Sequence, residues 1–94
     1  MKDIVNKIIE LYNSPDGGVG GYGHIVFDDD NIETEHVEWC IEEAEKGEYE
    51  FIGEETRQKS IVALKAILPL SEDERQGAIN ESFNVRSIMY NKGI

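Results

Sequence analysis

Basic residues and cysteine are scarce in this chain, and each scarcity excludes a class of protein. Nine basic residues face twenty acidic ones in 94 residues, which gives a formal net charge of −11 and a pI near 4.4. A charge of that sign and size argues against nucleic acid or an anionic membrane as a direct partner. The single cysteine, Cys40, excludes an internal disulfide and any CxxC zinc or redox motif.

Long apolar runs are also missing. None approaches the roughly 18 residues that a membrane-spanning helix needs, and residues 1–12 are too charged for the hydrophobic part of a secretory signal. We therefore expect a cytoplasmic protein. The length of 94 residues, with 39% hydrophobic and 31% charged residues, predicts one compact domain over residues 1–94.

The acidic residues that are present concentrate in the middle of the sequence. Residues 28–55 contain thirteen acids and one base, a net charge of −12, whereas residues 1–27 carry −1 and residues 56–94 carry +2. Apolar residues recur at regular spacing within the acidic block, so we expect a folded acidic surface and not a disordered tail. Binding of a basic partner and simple solubility are both open as its purpose.

Hydrophobic spacing predicts four helices. They are expected over residues 3–13, 32–46 and 54–68, with a fourth beginning at Ser71, which has a glutamate three residues on in the spacing of a capping box. Asp30, also followed by a glutamate at that spacing, is expected to cap the second helix. The core face of the third helix is predicted to comprise Ile61, Leu64, Ile67 and Leu68.

Between and after the helices the pattern is less regular. The β-branched and aromatic run over residues 24–27 predicts a short strand, and the alternation over residues 48–52 indicates a second one. Residues 17–23 form a glycine-rich loop, and residues 84–94 fit either a helical extension or a docked tail. The expected fold class is therefore α+β, mainly α, with about four helices and one or two short strands.

The predicted helix over residues 32–46 has two contrasting faces. The apolar spacing assigns its buried face to Val37, Cys40, Ile41 and Ala44. Trp39 lies outside that face and is either the edge of the core or an exposed anchor of the kind enriched at binding hot spots. We predict a non-enzymatic protein that binds the basic surface of a protein partner. The predicted binding residues are Glu35, Glu38, Trp39, Glu42, Glu45 and Tyr49.

A metal site is the alternative hypothesis. His36 and Cys40 are four residues apart, so they meet on one helix face and form a workable pair of zinc ligands. With His24 and Asp28 they would hold one zinc-like ion in a small metal-binding module or metal-dependent enzyme. The competing interpretation places Cys40 in the core and needs no cofactor, because cysteine is often buried without any chemical role. Nearby glutamates disfavour Cys40 as a nucleophile, since negative charge raises the pKa of a thiol.

One segment carries a resemblance to a known group. Residues 20–32 read GGYGHIVFDDDNI and are followed by His36 and by Trp39-Cys40. This pattern resembles a small group of phage and prophage proteins of Gram-positive bacteria with a glycine pair, an HIVxDDxNI core and an acidic helix. The match covers about residues 17–44. It implies an inhibitor of a host enzyme or defence protein in the host cytoplasm, acting as a partial nucleic-acid mimic.

Overall fold

The chain folds as an all-helical bundle in the computed structural model, which describes residues 1–15 and 21–92. The helices are α1 (Lys2–Tyr12), α2 (His24–Phe27), α3 (Thr34–Lys46), α4 (Glu54–Ile67) and α5 (Glu72–Lys92). Helix α4 packs against α1 and α3, α5 packs against α1, and the short α2 packs against α3. The described residues contain no β-strand, so the predicted α+β class is wrong.

The core forms where the apolar faces of these helices meet. The fully buried side chains include Ile8 of α1, Val37 of α3 and Leu64 of α4. The predicted buried face of α3 is confirmed, since Val37, Cys40, Ile41 and Ala44 are all buried. Within the described part of the chain, no helix is both long enough and apolar enough to cross a membrane.

The predicted strand over residues 24–27 is instead the single-turn helix α2. Its backbone hydrogen bonds are local: the Phe27 N–H donates to the Gly23 carbonyl over 2.9 Å. The Ile25 carbonyl accepts from both the backbone N–H and the side-chain amide of Asn31, at 3.0 and 3.1 Å. A Cβ on Gly23 would lie 2.7 Å from the ring of Phe27, so the turn is this tight because Gly23 has no side chain.

The predicted strand over residues 48–52 is also wrong, because this segment is a turn. Gly47 ends α3 with φ of 65°, a left-handed conformation that favours glycine. The Tyr49 N–H then donates to the Tyr22 hydroxyl over 2.9 Å, and the Ile52 N–H donates back to the Tyr49 carbonyl over 3.0 Å. The backbone N–H groups of Tyr49 and Ile52 therefore donate to a side chain and within the turn, and not to a neighbouring strand.

The two predicted helix caps have opposite outcomes. At the start of α5, the Ser71 N–H donates to Glu74 over 3.0 Å and the Glu74 N–H donates to the Ser71 hydroxyl over 3.2 Å, which confirms the capping box. Asp30 does not cap α3, which begins at Thr34. It has φ of 59°, and its carboxylate accepts a hydrogen bond from the Gln76 amide over 3.2 Å. Asp30 thus ties the loop before α3 to α5.

Helix α5 continues through most of the segment that the sequence left open. It runs to Lys92 as a helical extension and not as a docked tail, while residues 93 and 94 lie outside the described residues. Residues 17–20 of the predicted glycine-rich loop also lie outside the described residues.

A buried arginine holds the helices together at one end of the bundle. The Arg75 guanidinium donates to the carbonyls of Ile67 and Leu68 at the end of α4, at 3.1 and 2.7 Å. It also donates to the Ile32 carbonyl over 2.8 Å and to the Thr34 hydroxyl over 2.9 Å. The last carbonyls of a helix lack partners within the helix and carry its negative dipole end, so they suit a buried cation. Arg75 thereby positions the beginning of α3 against the end of α4.

Candidate protein-binding surface

The outward side of α3 presents a continuous acidic surface. A helix turns about 100° per residue, so the residues on the side of α3 opposite its buried face point to solvent. All of them are exposed. We call this surface the acidic face, and it comprises Glu35, Glu38, Trp39, Glu42 and Glu45.

Trp39 lies within the acidic face and not at the edge of the core. Its side chain is 46% exposed. Glu35 precedes it by four residues and Glu42 follows it by three, so both carboxylates flank the indole along the helix. A large apolar ring with negative charge beside it can bind a cation through the ring face and bury apolar area at the same time.

Two lysines reduce the negative charge near one end of the acidic face. The Lys65 ammonium of α4 lies 3.4 Å from the Glu45 carboxylate, and the Lys46 ammonium lies 3.4 Å from that of Glu43. The sequence pattern within α3 could not show the Lys65 contact, because it spans twenty residues. Within the described ranges no ion pair engages the remaining carboxylates of the acidic face, those of Glu35, Glu38 and Glu42.

A shallow groove of about 460 Å³ borders the acidic face, between α3 and α4. Ile41 and Leu68 supply its apolar lining, Glu38 and Glu42 lie on the α3 side, and Lys65 lies on the α4 side. The groove extends the acidic face with a place where an apolar side chain of a partner can be buried.

Tyr49, the other aromatic residue predicted to bind, belongs to a separate feature. Its ring stacks on Tyr22 with centroids 4.6 Å apart and planes within 1° of parallel. Phe51 stacks on Tyr49 at 5.8 Å with an angle of 10°. We call these three rings the aromatic stack. Sequence reasoning did not single out Phe51, although its spacing of two residues from Tyr49 in an extended turn could have indicated the pairing.

The histidines of the predicted metal site each contact neighbouring carboxylates. His24 lies between two aspartates, with Nδ1 3.1 Å from Asp28 and Nε2 3.3 Å from Asp29. His36 Nδ1 lies 3.0 Å from the Glu33 carboxylate, one turn earlier. Among the described residues, no group of three or more histidine, cysteine, aspartate or glutamate side chains is placed to hold a metal ion. The zinc-like ion stays a prediction.

Cys40 lies on the inner side of α3 and is fully buried in the core. Burial raises the pKa of the Cys40 thiol to about 11, and the Glu43 carboxylate adds to that increase. A thiol with such a pKa is protonated at neutral pH, whereas a nucleophile or a zinc ligand acts as the thiolate. The core position predicted by the competing interpretation is the one observed.

A polar cluster that sequence reasoning missed lies where the end of α1 and the end of α2 meet α5. The Tyr12 hydroxyl donates a hydrogen bond to Asp28, and the Arg86 guanidinium lies 3.6 Å from the centroid of the Tyr12 ring. Burial, followed by the hydrogen bond to Asp28, raises the pKa of Tyr12 well above its usual value. The cluster satisfies its own polar groups. The sequence offered no signal for it, because Tyr12 fits the apolar face of α1.

The chain was compared with protein families, curated proteins and solved structures. No family, curated protein or solved structure matches it. The resemblance of residues 17–44 to phage and prophage proteins therefore stays a prediction.

Proposed function

We propose that the protein is a non-enzymatic binding module that docks the acidic face of α3 on a basic surface of a protein partner. The observation that carries the proposal is the exposed indole of Trp39 between carboxylates that have no ion pair among the described residues. Negative charge speeds the encounter and orients the partner, while the indole and the bordering groove bury apolar area.

The charge distribution supports this surface over the rest of the molecule. The acidic face belongs to the block of residues 28–55 with its net charge of −12, while the remainder of the chain is close to neutral. Like charges along α3 cost a few tenths of a kcal/mol per i,i+4 pair. A basic partner would relieve that repulsion, so binding gains from the same feature that weakens the free helix.

The finer form of the proposal follows from the resemblance to phage and prophage proteins. In that form, the partner is a host enzyme or defence protein whose basic surface normally binds nucleic acid, and the carboxylates of α3 occupy the positions of phosphates. Localisation in the host cytoplasm belongs to this finer form. It is tested by asking whether a nucleic acid and this protein compete for the captured partner.

The experiment is quantitative capture from a lysate of the cell type in which the protein acts. The test variant carries Glu35→Lys, Glu38→Lys and Glu42→Lys, which remove the carboxylates that have no ion pair. A second variant, Trp39→Ala, removes the indole and leaves the charge unchanged. Wild-type protein should capture a basic protein, and both variants should lose it while they keep their folded far-UV spectrum.

The matched control carries the same change in net charge on another helix. Glu72→Lys, Asp73→Lys and Glu81→Lys alter three exposed acids of α5. This control should capture the partner almost as well as wild type. Equal capture by the α3 and α5 variants would show that net charge matters and the acidic face does not, and failure of wild type to retain any basic protein would leave solubility as the role of the charge.

A further inference from the structure

The aromatic stack ends in a ring whose outer face is open to solvent. Tyr22 is buried in a small apolar cluster with Ala44 and Ile52, and Tyr49 lies between Tyr22 and Phe51. Phe51, the outermost ring, is 70% exposed. One of its faces rests on Tyr49, so the other face is available to a planar group from outside.

The inner part of the aromatic stack is anchored to the core. Its base, Tyr22, is buried, and the hydrogen bond from the backbone N–H of Tyr49 to the Tyr22 hydroxyl, 2.9 Å long, ties the backbone of the middle residue to the buried one. A ligand that stacks on Phe51 therefore extends a stack whose inner end is already held in the core, so fewer groups have to be ordered on binding.

The surroundings of Phe51 are acidic. Residues 47–56 contain four acids and no base, and Glu48 and Glu50 on either side of Tyr49 are exposed. The neighbouring Arg57 is already engaged: its guanidinium donates to Glu54 over 3.1 and 2.7 Å and to the Ala44 carbonyl over 2.9 Å. Within the described residues, no cation of the chain itself lies over the Phe51 ring.

We propose that the exposed face of Phe51 is a binding site for an arginine side chain of a basic partner segment. The guanidinium would stack on the ring at the end of the aromatic stack, with Glu48 and Glu50 supplying negative charge. A guanidinium is planar and delocalised, so it stacks on an aromatic face better than an ammonium group does. A nucleobase is also planar, but the phosphates of the nucleotide that carries it would be repelled by this acidic segment.

This inference deepens the proposed function and rests on it for the basic character of the partner. It adds a second contact that is separate in sequence from the acidic face of α3. The partner then needs an arginine in an accessible segment as well as a positive surface.

The test uses a defined probe and the full chain. The probe is an acetylated and amidated peptide with three arginines spaced by Gly-Ser pairs, and its matched control has citrulline at each arginine position. Citrulline keeps the planar shape and loses the charge. Binding is followed by the NMR shifts of the Phe51 ring protons, and the fluorescence of Trp39 reports separately on the acidic face.

The variant is Phe51→Leu, which keeps an apolar side chain and removes the ring face. Its control is Phe83→Leu, because Phe83 is also exposed, at 61%, and its ring already faces Arg86 at 5.8 Å. We expect the arginine peptide to bind Phe51→Leu about two- to fivefold more weakly than wild type, the size of an exposed cation–π contact, and Phe83→Leu like wild type.

Several results would overturn the inference. They are an absence of Phe51 shifts with the arginine peptide at millimolar concentration, equal affinity of wild type and Phe51→Leu, or equal affinity of the arginine and citrulline peptides. Adenosine as a third probe distinguishes the ligand class, since tighter binding of adenosine than of the arginine peptide, measured by titration of the Phe51 shifts, would assign the site to nucleobases.

The triple lysine variant of α3 separates this inference from the proposed function. Phe51 shifts that persist in that variant, together with capture of the basic protein that is unaffected by it, would support the arginine site and reject the acidic face. Loss of capture in the α3 variant, with no effect of Phe51→Leu on the arginine peptide, would support the acidic face and reject the arginine site.

Discussion

Arg75 places a positive charge in the interior of a small and strongly acidic protein. Within the described part of the chain no carboxylate pairs with it, and its partners are carbonyl and hydroxyl oxygens. These acceptors come from the end of α4 and from the chain entering α3. The residue therefore connects α5 to the end of α4 and to the chain entering α3, which lies 41 to 43 residues earlier in the sequence. It thereby fixes the direction in which α3 presents its acidic face.

Replacement of Arg75 by methionine should destabilise the protein by at least about 2 kcal/mol, because it leaves buried oxygens without donors. Urea unfolding measures the change. The control is Arg86→Met, whose guanidinium lies on the Tyr12 ring and is only partly buried, and which should cost less. A loss below about 0.5 kcal/mol for Arg75→Met would contradict the structural role of this residue.

The burial of Cys40 predicts how the stability of the protein depends on pH in the alkaline range. Burial raises the pKa of its thiol to about 11 in the folded protein, from an ordinary value of 9.0. Between those values the unfolded chain loses the proton first, so the folded state, which keeps the proton, loses stability relative to the unfolded state as the pH rises from about 9 towards 11. Unfolding free energies of wild type and Cys40→Ala should therefore converge by on the order of 1 kcal/mol between pH 8 and pH 10.5.

A parallel measurement checks the same burial by reactivity. Cys40 in the native protein should react slowly with a thiol reagent at pH 8 and rapidly once urea unfolds the chain. Equal rates in the two states would place Cys40 at the surface, and a stability difference from Cys40→Ala that is independent of pH would contradict the raised pKa.

At the scale of elements, α4 packs against both α1 and α3. Leu64 is fully buried on its inner side, and Val62, two residues earlier, is 48% exposed. Leu64→Ala should cost about 2–5 kcal/mol, since it removes packed methyl groups and leaves a cavity. Val62→Ala, the matched control on the same helix, should change stability by about 0.5 kcal/mol or less. Similar losses for the two variants in urea unfolding would show that the face is assigned wrongly.

The sequence predicted the long helices well for a physical reason. Helices α1, α3 and α4 each span several turns, so apolar residues recur often enough to define a face, and their observed ends lie within two residues of the predicted ones. The cap at Ser71 was predictable because its partners are three residues apart. The extension of α5 to Lys92 was left open, because the helical spacing of Val85, Ile88 and Met89 covers little more than one turn, and a run that short also fits a docked tail.

The wrong strands came from short runs that periodicity cannot resolve. A run of four residues such as that of α2 fits one helical turn as well as a strand, and its conformation depends on the close packing of Gly23 against Phe27. The turn over residues 48–52 depended on the Tyr22 hydroxyl, 27 residues away. The conformations of both segments depend on tertiary contacts, which a local sequence pattern does not contain.

Parts of the candidate binding surface could be predicted from local spacing, and other parts depend on tertiary contacts. The exposure of Glu35, Glu38 and Glu42 followed from the helical spacing of α3 alone. Trp39 was left between a core and an exposed position, since tryptophan is common in both. The pairing of Glu45 with Lys65 and the stacking of Tyr49 on Tyr22 required the fold to be known.

For the whole molecule, the net charge of −11 should make stability depend on salt. Self-repulsion within the acidic block is screened as ionic strength rises, so the melting temperature of wild type should increase between about 10 and 300 mM sodium chloride. The variant with Glu35→Lys, Glu38→Lys and Glu42→Lys should increase less, because it has weaker repulsion to screen. At physiological salt the two unfolding free energies should differ by no more than about 1 kcal/mol. A larger loss in the variant would mean that these glutamates support the fold.

The most direct test of the proposed function is the association rate with the captured basic partner as a function of salt. Stopped-flow mixing followed by the fluorescence of Trp39, the single tryptophan of the chain, measures this rate at the surface in question. Electrostatic docking through the acidic face predicts that the rate constant for wild type falls at least about tenfold from about 10 to 150 mM salt. It also predicts that the triple lysine variant associates slowly at every salt concentration, whereas the α5 control variant behaves more like wild type. A rate that is independent of salt, or equal for wild type and the α3 variant, would contradict docking through the acidic face.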